Sequence, residues 1–467
     1  MDETRLSTRN PDLAGLRVLV VGAGKSGLAA ARLAHGRGAR VTLCDSAPAE
    51  RIADAVRRAG EFGIEVRTGG HPPALARDAD LVIVSPGVPT NVPLLAAARQ
   101  RGLPVWGEIE LSVRFCRGRI VGITGSNGKS TVTTMTGAIL RGAGIPGATG
   151  GNLDRPLGDL LGLDGPQAWH ALELSSFQLE TVETLHAEVA VVLNLSPDHL
   201  DRHGSLEAYG QAKARLLELQ RPDSDAVLSA DDPESARFHS AVRGRLHLFS
   251  TRRETEAGGF VRAGRLMLRT EQGQDTLLGV SQLPVPGEHN VANALAAALA
   301  CRLAGCDPEA ICRGLLMFRA LPHRLELVAE VAGVRFFDDS KATNPASTIC
   351  ALRSFPAGSI HLILGGRDKG ADWSQLVATL RNRVRQVLLV GEAAPALERL
   401  LAGAAPLRTS GTVPRATAEA FAEARAGDVV LLAPGCASFD QYRNFAERGD
   451  DFARVARALA GPGETRG

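Results

Sequence analysis

The first clear pattern along the chain is an apolar run over residues 16–21. It breaks into the glycine-rich GAGKSG of residues 22–27 and continues as an alanine-rich stretch to His35. A short apolar run bounded by glycines reads as a buried strand, and the stretch behind it as a helix. Further strands are predicted over 41–44, ending in Asp45, and over 81–84, ending in SPG at 85–87. A second strand–loop–helix runs from 119–124 through GSNGKST (125–131) into a helix over 132–140. Strands at 171–174 and 189–193 and a helix over 206–219 follow it. Asp307 and Pro308 make a capped helix start, and that helix reaches about Phe318. Beyond it, strands are expected near 334–337, 361–364, 387–390 and 429–432, with a long helix over 441–458. The alternation of strand and helix predicts an α/β protein of three domains, each an open, largely parallel Rossmann-like sheet flanked by helices. The boundaries fall at 1–107, 108–320 and 321–467, with the central domain a P-loop-type ATPase. No sequence repeat relates the three.

Composition narrows the function classes. Of 467 residues, 53 are basic and 51 acidic, so no global charge favours nucleic acid or an anionic membrane. Aromatic residues are 4%, too few for base-stacking platforms. No apolar stretch is long enough to span a bilayer, and seven cysteines form no CxxC pair. The expectation is a cytoplasmic, monomeric enzyme with small-molecule substrates. Only five of the 53 basic residues are lysine (25, 129, 213, 341 and 369), which leaves 48 arginines. Where arginine serves as the default cation, lysine is expected where a compact ammonium or a neutral amine is needed.

The GAGKSG turn, with Asp45 ending the next strand, suits a diphosphate held on backbone N–H groups and a carboxylate accepting from a ribose hydroxyl. A nicotinamide or flavin dinucleotide would satisfy this, as would a UDP-sugar, so an NAD-dependent oxidoreductase is one alternative. The loop at 125–131 is more specific. It offers a backbone cradle, Lys129 for the β/γ-phosphates and a hydroxyl for Mg²⁺. Its first glycine is not in strict Walker A register, since residue 123 is isoleucine. Glu173 and the DHLD of 198–201, with His199, stand where they could complete a metal–phosphate site. Lys213 is either a phosphate-contacting lysine or, as a neutral amine, a carrier of a CO₂-derived carbamate that acts as an anionic ligand. Asn290 and Asn293 lie three apart on one helix, and Arg324 sits at a domain junction where it could reach a γ-phosphate. The clusters at 338–344, 365–369 and 434–440 end three strands of the last sheet and suggest a carboxylate-binding pocket.

Taken together, these residues resemble the Mur ligase family of ATP-dependent amide-forming enzymes along essentially the whole chain. TGSNGKS (124–130), LELSSFQL (172–179), DDSKATN (338–344) and GGRDK (365–369) are most similar to the D-glutamate-adding branch. Folylpolyglutamate-type ligases and other Mur-type ligases are nearer alternatives, and a nucleotide-gated switch ATPase is a more distant one. The resemblance implies that Gly24, Lys25, Ser26, Asp45, Ser46 and Asn152 bind the UDP-linked substrate, UDP-N-acetylmuramoyl-L-alanine. It places ATP on Gly125, Ser126, Asn127, Gly128, Lys129, Ser130 and Thr131, completed by Asn290, Asn293, Arg324 and Asp339. Two Mg²⁺ ions would use Ser130, Glu173, His199 and a carbamylated Lys213. D-glutamate would be held by Thr343, Lys369, Ser438 and Phe445, with Lys341 lining its cleft. The resemblance also implies closure of the third segment during turnover, with hinges near 107 and 320.

Overall fold

The computed structural model describes residues 6, 9–153, 155–285, 287–319 and 321–459, with residue 201 described in its backbone only. The expected boundary at 320 lies outside the described residues. Five parallel strands form the first sheet: β1 (Arg17–Val21), β2 (Arg40–Cys44), β3 (Glu65–Arg67), β4 (Leu81–Val84) and β5 (Val105–Gly107). Their order is β3-β2-β1-β4-β5, a singly reversed arrangement that opens a crevice at the carboxyl ends of β1 and β4. Val18, Val20, Leu43, Leu81 and Ile83 are buried, so both central strands read as nearly continuous apolar runs.

The second sheet has nine strands: β6 (Arg119–Thr124), β7 (Thr149–Gly151), β8 (Trp169–Glu173), β9 (Val189–Val192), β10 (Asp225–Ser229), β11 (Arg245–Ser250), β12 (Gly258–Arg262), β13 (Arg265–Thr270) and β14 (Gly273–Gly279). The order is β14-β13-β12-β11-β10-β9-β6-β8-β7, parallel except where β13 pairs with β12 and with β14. The strands from β10 onward were not expected from the pattern. The helices Leu206–Glu218 and Pro308–Met317 were expected, and the second carries its cap, Asp307 Oδ1 accepting from the Ala310 amide at 2.7 Å.

The third sheet consists of β15 (Glu326–Val331), β16 (Val334–Asp338), β17 (Ile360–Gly365), β18 (Val384–Val390), β19 (Leu407–Gly411) and β20 (Val429–Leu432). Its order is β15-β16-β20-β17-β18-β19, with β15 antiparallel at one edge. The closing helix is Phe445–Leu459 and does not begin at 441. The amides of Gln441 and Tyr442 instead turn back to the Ser438 carbonyl at 3.2 and 2.9 Å. The three α/β domains thus have mostly parallel sheets flanked by helices, as expected. Among the described residues no helix is long and apolar enough to cross a membrane.

The chain gathers into two compact units. One comprises 1–195, 207–282 and 292–318 and holds the first and second sheets; the other comprises 196–206, 283–291 and 319–467 and holds the third. Within the first unit the helix Glu108–Phe115 braces the two sheets across the expected hinge at 107. Glu110 on this helix is fully buried, and its carboxylate accepts from the amides of Glu183 and Thr184, the Thr184 hydroxyl and Arg114 Nε, at 2.7 to 3.0 Å. Separating these partners would strand a buried charge, so these bonds brace the junction near 107.

Candidate active site

In the first unit the loop after β6 is built on two glycines in conformations that other residues rarely adopt, Gly125 at φ +148° and Gly128 at φ +85°. A Cβ on residue 128 would come within 2.5 Å of Asn293 Oδ1, which places that amide against the loop. Asn194, two residues after β9, clasps the loop. Its carbonyl accepts from the Ser126 amide at 3.0 Å, its Oδ1 from the Asn127 amide at 2.9 Å, and its Nδ2 donates to the Asn127 carbonyl at 3.1 Å. Pattern reasoning missed Asn194. Its signal was its place two residues after an apolar strand, beside the strand that carries the loop.

Lys129 opens the helix Lys129–Gly142 and folds back over the loop, Nζ donating to the carbonyls of Gly125 and Ser126 at 2.9 Å each. Lys213 reaches the same place from the helix Leu206–Glu218. It is 1% exposed, and its Nζ donates to the Gly125 carbonyl at 2.9 Å while standing 4.3 Å from the centre of the Tyr209 ring. Two lysine amines therefore share one carbonyl oxygen. Ser130 and Thr131 are buried in the first turn of the helix. Glu173 ends β8 in register with Ile123, level with the start of the loop, and its Oε1 accepts from Asn152 Nδ2 at 2.8 Å. The structure thus brings Asn152 to Glu173, and Lys129 to Lys213. The glycine-bent loop at a helix N-terminus fits a nucleotide phosphate. The Ser130 hydroxyl and Glu173 carboxylate are hard oxygen donors of the type Mg²⁺ takes.

At the first sheet, β1 is followed by Gly22 at φ +97°, and Gly24 precedes the helix Lys25–Gly36. Asp45 braces this turn, its two carboxylate oxygens accepting from the Ala23 amide at 2.7 Å and the Ala47 amide at 2.8 Å. Gly24, Lys25 and Ser46 are exposed, and Ser26 is half-buried. A further residue, Ser85, donates to the Gly22 carbonyl at 2.9 Å. Gly27 packs so closely that a Cβ there would lie 1.8 Å from the Gly22 oxygen. Gly27→Ala is therefore expected to push the turn open and destabilise the protein by about 1–3 kcal/mol. Denaturant unfolding of the variant beside the wild type checks this.

In the second unit Asp198 is a gathering point that the sequence did not single out from its cluster. It accepts from Asn344 Nδ2 at 3.2 Å, lies 3.7 Å from Lys369 Nζ and 3.8 Å from His199 Nε2. His199 has φ +54° and precedes the short helix Leu200–His203. β16 ends in Asp338, followed by Asp339, whose carboxyl is pushed up to about 7 by burial against the opposing pull of Arg324. Asp339 Oδ1 accepts from the Leu325 amide at 3.3 Å. Lys341 Nζ stands 5.3 Å from the Phe445 ring centre, and Thr343 is half-buried beside the helix-capping Asn344. Ser438 is buried after β20. Arg448, also missed, is buried and ties these loops together, donating to Ser340 Oγ at 3.0 Å, to the Ser340 carbonyl at 2.9 Å and to the Cys436 carbonyl at 3.1 Å. Asn290 lies in the first turn of the helix Glu288–Leu303 and is buried.

Three family models match along the chain: the Mur ligase MurD-like N-terminal domain over 16–107, the Mur ligase middle domain over 123–301, and the Mur ligase glutamate ligase domain over 323–436. The chain belongs to the Mur ligase family. Among curated Mur ligase relatives, it is 45% identical to a UDP-N-acetylmuramoylalanine--D-glutamate ligase of Acidobacterium capsulatum, over 96% of this chain and 98% of that one. A protein of the same name from Anaeromyxobacter dehalogenans is 46% identical over 96% and 99% of the two chains. Solved ligase structures share the fold at lower identity. MurF from Acinetobacter baumannii superposes with a TM-score of 0.62 at 19% identity, covering 94% of this chain and 93% of that one. A pseudomurein peptide ligase type C from Methanothermus fervidus does so at 0.59 and 19%, covering 95% and 99%.

Proposed function

We propose that this Mur ligase joins D-glutamate to UDP-N-acetylmuramoyl-L-alanine at the expense of ATP, in the supply of peptidoglycan precursors. The observation that carries the reading is identity of 45% and 46% across nearly the whole chain with relatives named for that reaction. Lys129 at the Gly125 carbonyl supports it, because acyl activation by ATP needs positive charge at the phosphates. The domains implied are a UDP-substrate domain over 1–107, an ATP domain over 108–320 and an amino-acid domain over 321–467. The enzyme would work in the cytoplasm as a monomer.

In this reading the substrate carboxylate attacks the γ-phosphorus of ATP, ADP departs, and an acyl-phosphate forms. The D-glutamate amine then attacks the acyl carbon and loses a proton as inorganic phosphate leaves. Gly125 to Thr131 cradle the nucleotide phosphates, and Lys129 follows the charge that builds on the transferring phosphoryl group. Ser130 and Glu173 would hold one Mg²⁺, and His199 with a carbamylated Lys213 a second. Bound Mg²⁺ supplies charge neutralisation at the phosphoryl oxygens. Asn290, Asn293, Arg324 and Asp339 complete the nucleotide site. Gly24, Lys25, Ser26, Asp45, Ser46 and Asn152 receive the UDP-linked substrate. Thr343, Lys369, Ser438 and Phe445 hold D-glutamate beside Lys341.

The test is ADP release with Mg²⁺, ATP and UDP-N-acetylmuramoyl-L-alanine across a panel of L- and D-amino acids. Release that requires D-glutamate, with one ADP per amide formed, is expected. Dependence on another amino acid would change the substrate, and release indifferent to all of them would overturn the ligase reading.

A further inference from the structure

The nine-stranded sheet has β7 at one edge, against β8. Gly151 at the end of β7 pairs with Glu173, the last residue of β8. Gly151 stands at φ +90°, and a Cβ on it would come within 2.3 Å of the Glu173 carbonyl oxygen. Glycine lets the chain turn this closely over the end of β8. The next residue, Asn152, then meets Glu173 twice. Its backbone N–H donates to the Glu173 carbonyl at 2.8 Å, and its Nδ2 donates to Glu173 Oε1 at 2.8 Å. A carboxylate only accepts, so the NH₂ end of the asparagine is the one that faces it.

The two residues differ in their surroundings. Glu173 is 4% exposed, whereas Asn152 is exposed just past the edge strand. The fold does not depend on the side-chain bond: an exposed asparagine covers little apolar surface, and β8 is held on its other side by β6. What the bond fixes is direction. A glutamate turns about three side-chain torsions, and this freedom must be given up before its carboxylate can serve as a ligand. Asn152, anchored through its own backbone to the same residue, holds Oε1 in place beforehand. Ligands of a metal are ordinarily aimed by an outer partner of this kind. The amide NH₂ carries two hydrogens and Glu173 Oε1 takes one, so the other can still meet a diphosphate.

We propose that Asn152 is a positioning residue for Mg²⁺: it orients the Glu173 carboxylate toward the ion whether or not the UDP-linked substrate is bound. This rests on the reading of Glu173 as a Mg²⁺ ligand, and it goes beyond the role of Asn152 as a contact of that substrate. A group that only touches the substrate matters when the substrate is present. A group that aims the metal carboxylate matters in its absence.

The experiment measures Mn²⁺, standing in for Mg²⁺, on the full chain with ADP and without any UDP-linked ligand, from the loss of the free-ion signal in electron paramagnetic resonance. Asn152→Ala should bind Mn²⁺ about tenfold or more weakly, the scale for removing the outer partner of a metal ligand. Asn152→Leu keeps the bulk and removes both donors, so it should match the alanine variant and carries the test if that variant fails to fold. ADP affinity without metal should be unchanged in both, a split that general damage to the domain would not produce. In a Glu173→Gln background, itself weakened for Mn²⁺, Asn152→Ala should cost nothing further. Unaltered Mn²⁺ affinity in the Asn152 variants, an equal loss of metal-free ADP affinity, or full additivity with Glu173→Gln overturns the proposal and leaves Glu173 a ligand. A Glu173→Gln chain that binds Mn²⁺ as the wild type does overturns the ligand reading itself, and the proposal with it.

Discussion

Replacing Lys129 by alanine is expected to lower amino-acid-dependent ADP release by about 10³-fold, the scale set by removing one preorganised donor aimed at developing charge. The geometry argues that the loss lies in turnover and not in folding. The Lys129 ammonium makes its described bonds to the carbonyls of Gly125 and Ser126 at the rim of the loop, while the loop is held by Asn194. Removing the side chain leaves those backbone contacts in place, so melting temperature should change little. Lys129→Arg should not rescue. A planar guanidinium cannot fold back over its own first turn onto two carbonyls as a compact ammonium does, and a residue built for bidentate pairing distributes charge differently. Single-turnover phosphoryl transfer in a quench experiment separates the outcomes. A slow chemical step with near-normal nucleotide affinity supports the role; normal chemistry with slow release would refute it.

The parts of the molecule legible in the sequence are those where one local rule acts alone. The apolar run of β6 ends in glycines with a lysine and hydroxyls behind them, and strand, loop and helix are found there. Asp307 followed by Pro308 announces a helix start, and the cap bond forms. What the pattern missed depends on packing between distant segments. The meander of β12, β13 and β14 carries arginine, glutamine and aspartate among its apolar residues, so it lacks the continuous apolar signal of a buried parallel strand. β15 is a half-exposed edge strand for the same reason. Asn194, Asp198 and Arg448 act through partners up to 146 residues away, as Asp198 does with Asn344, and no periodicity encodes such a pairing. Glu108 was hidden by its neighbourhood: a glutamate at the first turn of a helix reads as a favourable exposed charge, whereas the structure buries it.

The scarcity of lysine proved informative where structure and chemistry meet. Lys129 and Lys213 converge on one carbonyl, Lys369 approaches Asp198, and Lys341 stands against Phe445. In a chain that uses arginine for its surface ion pairs, such as Arg57 with Asp54 and Glu61, these positions call for an amine. Of the four, Lys213 has the most demanding surroundings, being 1% exposed and beside a second ammonium.

Lys213→Ala is accordingly expected to lose about 10³-fold in activity, and short carboxylic acids such as acetate should restore a part of it, about tenfold or more. The argument is one of charge. Two ammonium groups on one carbonyl leave nothing to hold a second Mg²⁺, whereas condensation of the Lys213 amine with CO₂ yields an anionic oxygen donor and releases a proton. The cavity left by truncating a buried lysine has room for a small carboxylate to supply that oxygen in place of the carbamate. Lys213→Arg should stay inactive with or without acetate, because a guanidinium neither forms a carbamate nor vacates the space. Lys213→Glu should retain more activity than either, since it places a carboxylate on the same side of the loop. Magnesium dependence gives the readout that a purely structural role would not move. The alanine variant should need more Mg²⁺ for half-maximal rate, and acetate should lower that requirement again. Full activity in Lys213→Ala, or loss that no carboxylate relieves together with an unchanged magnesium requirement, would return Lys213 to the role of a phosphate-contacting cation.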